Sequence, residues 1–563
     1  MTTMKFFLAI SFIISANTLL AQCNNNRVGA QIAQGVVYAD ANNNGVREAN
    51  ETGIADVAIS NGCDVVISNS DGRYEISVAP TEIIFLSKPA NYLVPVDEYN
   101  VPQFFYAHYP DGVPAQIAGT SVEWMWPVMD ATGPLPPSID FSLIPTESKF
   151  EFLAHGFADT QAQYEIGQDM VRENLVNPLI DNPFGVEFGL TVGDVVFDNL
   201  GLYDRHKAMM GLMRIPQWYL PGNHDMNFES PNAQFANETY KKHFGPPYYS
   251  FDYGNVHFVA LNNVEYAGAD NGFSNGVYRG FISDVQLQWL RNNLTHVPTE
   301  KLLVIASHIP LITEADDGVS PILTGPNTEN FAELLKILEP FENIYGLAGH
   351  DTSNSFKVQI NHQHGWTGKP WIAHTLGEVR GSGWTRGPRD FRGVRDAMMQ
   401  DGNPNGFYVL KFNNVELTPE FIPFPSSSDG TGRLRIMLDP PMALSEINGI
   451  HRGVLQAGTK LIVNLFDGGV RDSVRASIDG GEEVLMAYKV RVDPFIEKLY
   501  EEFRDTDDAY PTPDRSSHIW ELVIPDNLNI GLHHIVVRST DEFGQSQRGT
   551  FTFELDGNLP TNF

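Results

Sequence analysis

The stretch Trp218-Tyr219-Leu220-Pro221-Gly222-Asn223-His224-Asp225 sets an apolar run directly against an amide, an imidazole and a carboxylate. A short apolar run closed by Pro-Gly predicts a buried strand that ends in a turn. Four other runs in the same region end likewise. Phe150-Glu151-Phe152-Leu153 leads to Asp159-Thr160-Gln161, and Phe188-Gly189-Leu190-Thr191-Val192 leads to Gly193-Asp194. Leu302-Leu303-Val304-Ile305-Ala306 leads to Ser307-His308, and Ile344-Tyr345-Gly346-Leu347-Ala348 leads to Gly349-His350. One Asp or His after a strand is normally a turn residue or a cap. Five such endings offer Asp, Asp, Asn, His and His, which points to a metal site outside the carboxyl ends of the strands.

Between these runs, Gln163 to Leu175, Leu202 to Met213, Ser283 to Leu294 and Asn330 to Leu338 carry helix spacing. Ser283 and Gln286 are placed as a capping box. Strands alternating with helices predict an α/β domain over residues 148–378. Ahead of it, residues 22–147 alternate short apolar runs with Gly, Asn and Asp clusters, and predict a small β-sandwich plus linker. Beyond it, residues 379–558 return to strand-like runs such as Leu461 to Leu465, with one helical excursion at Pro494 to Phe503. They predict a C-terminal β-rich domain. A chain of 563 residues has room for several such cores.

Lys5, the apolar run Phe6 to Ala16 and the exit Leu19-Leu20-Ala21 predict a secretory signal peptide over residues 1–21, hence a periplasmic or secreted protein. No later segment reaches ~18 apolar residues, so no transmembrane segment is expected. The two cysteines, Cys23 and Cys63, would form one disulfide in an oxidising compartment or remain two thiols. With 37 Lys plus Arg against 69 Asp plus Glu, the formal net charge is −32. That balance disfavours a general nucleic-acid binder, which needs clustered positive charge. An anionic substrate would have to be attracted locally.

The order Asp-x-Gln, Gly-Asp, Gly-Asn-His-Asp, His, Gly-His resembles the motif series of the calcineurin-like metallophosphoesterases, and Tyr249 to Phe258 looks like that family's central hairpin. The flanking regions resemble those of an exported bacterial subgroup. The resemblance implies a multidomain chain whose central domain is a four-layer α/β sandwich, flanked by β-sandwich domains. It also implies two divalent ions, drawn from Mn, Fe, Zn or Mg. Carried over by position, Asp194 bridges both ions, Asp159 and Gln161 serve the first, and Asn223, His308 and His350 serve the second. The ions hold a hydroxide for attack on a phosphate ester, monoester or diester. By the same resemblance His224 protonates the leaving oxygen or steadies the charge developing there, and Asp225 orients its imidazole. The series departs from the family at two places. Gln161 stands where many members have His, and Gly349-His350-Asp351-Thr352 lacks the second imidazole of Gly-His-x-His. Mainly oxygen donors then remain at the first ion, which suits Mn²⁺ or Mg²⁺ over Zn²⁺. His155, His362 and His364 are candidate replacements, each with an ordinary loop or surface role as the alternative.

Asp40, Asn42, Asn44, Gly45 and Glu51 fit the calcium-loop pattern D-x-[DN]-x-[DN]-G-x₅-E, here among strands, and the segment resembles the calcium-binding repeats of bacterial surface adhesins. A structural Ca²⁺ is expected, with an ion-free Asn-rich turn as the alternative. Arg380, Arg386, Arg389, Arg392 and Arg395 crowd a chain otherwise poor in cations, and Arg380 and Arg386 are candidates for gripping an anionic group, against a role in surface salt bridges. Trp366, Trp371 and Trp384 are each expected in core packing. The rival to an enzyme is a non-catalytic surface or carbohydrate-binding protein, in which Gly-His-Asp-Thr marks a decayed centre.

Overall fold

The computed structural model describes residues 27–268, 277–316, 321–323, 327–381, 384–396, 398–424, 432–442 and 451–556. Eleven strands build its centre. They are β1 (Glu151–Phe157), β2 (Gly189–Val192), β3 (Gln217–Leu220), β4 (Tyr249–Tyr253), β5 (Val256–Leu261), β6 (Leu302–Ser307), β7 (Asn343–Ala348), β8 (Phe356–Ile360), β9 (Trp371–Thr375), β10 (Gly406–Asn413) and β11 (Glu416–Pro423).

One mixed sheet has the order β3-β2-β1-β10-β11, the other β4-β5-β6-β7-β9-β8. Within the first, β1, β2 and β3 run parallel. Within the second, β5, β6, β7 and β9 do. Strands β2, β3, β5 and β6 are buried along their whole length. Such strands need unbroken apolar runs rather than alternation, because both faces are covered.

An aromatic seam joins the sheets. Trp218 stacks on Phe251 with centroids 4.1 Å apart, Phe188 on Tyr253 at 4.5 Å, and Phe152 on Phe412 at 4.5 Å. On the far side of the first sheet, Met170, Leu175, Met210 and Met213 from its helices meet Phe157, Phe407 and Val409. The helices Asp284–Leu294 and Phe331–Leu338 turn Leu287, Leu290, Leu334 and Leu338 into the core of the second. Of the expected capping box, Ser283 accepts from the amide of Gln286 at 3.3 Å, but the Gln286 side chain is drawn instead to the backbone of Asn262. A tertiary pair of hydrogen bonds has outcompeted the local one.

The expected boundary at residue 378 needs correction. Strands β10 and β11 lie beyond it, yet β10 pairs antiparallel with β1 from Glu151↔Asn413 to Gly156↔Tyr408. Their apolar runs resemble those of the following strands, so nothing local marks them as part of the earlier sheet.

The region before residue 147 holds two four-stranded sheets, one around Gln31–Ala39 and one around Glu82–Leu86. Its core runs continuously into the space between the central sheets. After residue 432 a four-stranded and a five-stranded sheet enclose Leu461, Val463, Trp520, Ile535 and Val537. The helix Pro494–Phe503 has the bounds its sequence predicts. Cys63 is buried and disulfide-bonded, while Cys23 and the expected signal peptide lie outside the described residues. No helix among the described residues is long and apolar enough to cross a membrane.

Candidate metal centre

The parallel strands of both sheets end on one side, and the turns that leave them carry the donor residues. Asp159 and Gln161 follow β1, Asp194 follows β2, Asn223 and His224 follow β3, His308 follows β6, and His350 follows β7. Four of these residues hold positive φ: Asp159 at 52°, Gln161 at 44°, Asp194 at 48° and His350 at 72°. Left-handed backbone at a non-glycine residue costs roughly 1–3 kcal/mol and persists only where the surroundings impose it, as at functional sites.

The motif glycines have a steric cause. A Cβ on Gly222 would fall on Asp194 Oδ1, and one on Gly193 on the ring of His308. A Cβ on Gly349 would lie 2.6 Å from Asp159 Oδ2. Each glycine makes room for another strand's donor.

Asp194, His308 and His350 each bring a donor atom within 4.8 Å of the other two. His308 Nε2 lies 3.2 Å from Asp194 Oδ1 and 3.0 Å from Asn223 Oδ1, while its Nδ1 lies 2.9 Å from the carbonyl of Val192. A neutral imidazole has one N–H, and here both nitrogens face acceptors. With Nδ1–H given to Val192, the Nε2 lone pair converges with two oxygens on one point, the arrangement a cation completes. Asp159 accepts the amide of His350 at 3.0 Å, and Gln161 Nε2 donates to Asp194 Oδ2 at 2.7 Å. Gln161 Oε1 is buried and meets no hydrogen-bond donor among the described residues. A buried orphaned acceptor beside two carboxylates fits a divalent ion.

The same crowding of charges shifts the groups that titrate. Burial, opposed by His308 and reinforced by Asp194, pushes the Asp159 carboxyl up to about 7. Burial works the same way on Asp194 but is outweighed by His308 and His224, which hold its carboxyl well below the usual range. For His308 burial is overridden by Asp194 and Asp159, which carry the imidazole up to about 9. His350 is pulled down to about 4 by burial and then by His308, leaving a neutral imidazole suited to a metal.

His224 faces the same cleft, its Nε2 4.0 Å from Asp194 Oδ2, and its ring stacks on Phe197 with centroids 4.0 Å apart. The residue that orients it is not Asp225. His224 Nδ1 lies 2.6 Å from Asp198 Oδ1. The carboxylate of Asp225 instead accepts from the amides of Gly222 at 2.8 Å and Val195 at 3.0 Å, and from the Tyr203 hydroxyl at 2.9 Å. It ties the Asp194 and Asn223 turns together beneath the site. Neighbours in a tight turn point apart, so adjacency in sequence misleads here. Asp198 had no signal beyond its place in the turn region after β2.

The arginines divide. Arg386 is exposed and lines the cleft, a cavity of about 390 Å³ bordered also by Gln161, Asn223, His224, Tyr278 and Thr352. Arg380 is buried and gives Nη2 to the carbonyl of Arg386, so it supports the loop and does not reach the cleft. Trp384 is also structural, its indole donating to the Thr160 carbonyl at 2.9 Å. His155 is packed among Phe157, Phe184 and Phe407, and His364 accepts the Asn361 amide in a separate turn, so neither supplies the missing imidazole.

Residues 41–117 match the family model of the N terminal of calcineurin-like phosphoesterase, and residues 373–546 match that of its C terminal. The two matches bracket the strands that carry the donor turns. The chain carries the N- and C-terminal regions that mark calcineurin-like phosphoesterases. It is thus a phosphoester hydrolase that works with divalent metal ions. No curated protein matches this phosphoesterase. Among solved structures, a purple acid phosphatase from yellow lupin (Lupinus luteus) seeds is similar at 14% identity, covering 71% of this chain and 68% of that one, with a TM-score of 0.33.

Proposed function

We propose that this phosphoesterase acts outside the cytoplasm on a phosphomonoester or phosphodiester, with two divalent ions held by Asp159, Gln161, Asp194, Asn223, His308 and His350. The observation that carries the proposal is the convergence of these donors from two different sheets onto one cleft. Divalent ions there supply Lewis-acid chemistry, polarising the phosphoryl group and rendering water acidic. The chain's own residues do the rest. Arg386 offers the anionic group a guanidinium in a molecule of net charge −32. His224, held at Nδ1 by Asp198, presents Nε2 to the cleft and gives its proton to the leaving oxygen. The helices outside the two central sheets serve as outer layers of a four-layer α/β sandwich, and the paired sheets before and after it as β-sandwich domains.

The same proposal places a structural Ca²⁺ in the loop from Asp40 to Glu51. Asp40 is fully buried, its oxygens accepting the amides of Asn44 and Gly45, while Glu51 is buried with Oε1 meeting no donor among the described residues.

The test pairs metal analysis with Mn²⁺-supplemented hydrolysis of chromogenic monoester and diester substrates. Wild type should turn over one class preferentially, and His224→Ala should lose roughly 10²-fold or more in kcat. Equal rates in the two proteins would remove His224 from the reaction. Failure to hydrolyse any phosphate ester would favour a surface-binding protein instead.

A further inference from the structure

We infer that Glu378 supplies the first ion with the ligand that the Gly349-His350-Asp351-Thr352 turn lacks, a carboxylate in place of the second imidazole. This rests on the dinuclear reading above and deepens it. The segment after β9 lies along the turn that leaves β1: the amide of Val379 donates to the Ala158 carbonyl at 2.7 Å and that of Arg380 to the Asp159 carbonyl at 2.9 Å. Glu378 is thereby set beside Asp159, and it is buried, 4% exposed. Its Oε1 takes a hydrogen bond from Asn405 Nδ2 at 3.0 Å, and its Oε2 meets no donor among the described residues.

That free oxygen lies at Thr352. A Cβ built on Gly381 would contact both Glu378 Oε2 and the Thr352 methyl, the latter at 2.6 Å, so the carboxylate and the shortened side chain share one small space. No cation among the described residues lies within ion-pair distance of Glu378. Arg380, two residues on, points elsewhere, towards the Arg386 carbonyl and over the Trp384 ring at 5.8 Å. A buried carboxylate with an oxygen that no donor meets is costly in its charged form unless a cation joins it. A divalent ion held by Asp159, Gln161, Asp194 and Glu378 would have four oxygen ligands, a set that favours Mn²⁺ or Mg²⁺ over Zn²⁺.

The experiment measures metal stoichiometry and affinity on the full chain, by elemental analysis after dialysis and by titration calorimetry with Mn²⁺. Wild type should hold two Mn²⁺ per chain. Glu378→Gln, which keeps the shape and the Asn405 contact, should weaken one site by roughly tenfold or more while sparing the other. The double variant Glu378→Ala/Thr352→His should regain the second ion and shift preference towards Zn²⁺. Two unperturbed sites in Glu378→Gln would overturn the inference and leave the dinuclear reading intact. A wild-type chain that takes up no Mn²⁺ would overturn that reading itself.

Discussion

Within the cleft, the partnership of His224 with Asp198 fixes which nitrogen faces the substrate. Burial alone would lower the His224 imidazole, but Asp194 and then Asp198 raise it above its ordinary value. A proton donor of this kind is active below its pKa and fails as pH rises through it. Asp198→Asn removes one of the charges that raise it, so the alkaline limb of kcat should move to lower pH, with kcat itself down roughly tenfold or more. Asp225→Asn should leave that limb in place, because Asp225 touches backbone amides and Tyr203 and not the imidazole. A pH profile with unmoved limb in Asp198→Asn would assign the donor to another group. The donors themselves were legible as residues because each sits at the end of an apolar run. Asp198, Glu378 and the burial of Arg380 were not, since they depend on turns and on a segment more than 180 residues away in sequence folding back on the Asp159 turn.

Elements with unbroken apolar runs were the easiest to anticipate, since strands covered on both faces leave little choice of residue. The helix Pro494–Phe503 was equally plain, with Asp493 accepting the Phe495 amide at 2.9 Å and proline in the first turn. The helix Glu238–Phe244 gave little warning, because its apolar positions are few and it rests on Tyr240 and Phe244 packing onto Tyr219. The loop from Asp40 to Glu51 shows the reverse case, a pattern complete in sequence whose function belongs to its element. If it binds calcium in the range usual for extracellular modules, about 10⁻⁴–10⁻³ M, then ~10 mM Ca²⁺ should stabilise wild type by about 1.4–2.7 kcal/mol. Thermal melts with and without Ca²⁺ should show that gain in wild type and not in Glu51→Gln. The same response in both would leave the loop as an ion-free turn.

Across the whole molecule, Asp467 joins three parts of the chain. It follows the strand Lys460–Leu465 of the C-terminal sheets, and its carboxylate meets Lys357 on β8 at 2.9 Å, His374 on β9 at 3.0 Å and Tyr408 on β10 at 2.9 Å. Burial would push this carboxyl up, yet Lys357 and His374 hold it well below the usual range. Its folded pKa is therefore depressed. The stabilisation is complete above the unfolded value of ~3.9 and is lost as pH falls below it. Asp467→Asn leaves a buried lysine unpaired and should cost about 3–5 kcal/mol near neutrality. The difference in melting temperature between the two proteins should narrow on acidification below pH ~4. A gap that persists at low pH would mean that packing, not charge, holds the two regions together.

The pairing of β10 with β1 also sets an order of events. As the chain emerges from the ribosome or threads through a translocon, the Asp159 turn, its neighbouring turns and His350 appear first, while the strand that seals β1 is still to come. Until residue 413 arrives, β1 presents a naked row of amides and carbonyls, the kind of edge that recruits stray strands. The nascent protein thus carries its ligands before it owns the scaffold that holds them still.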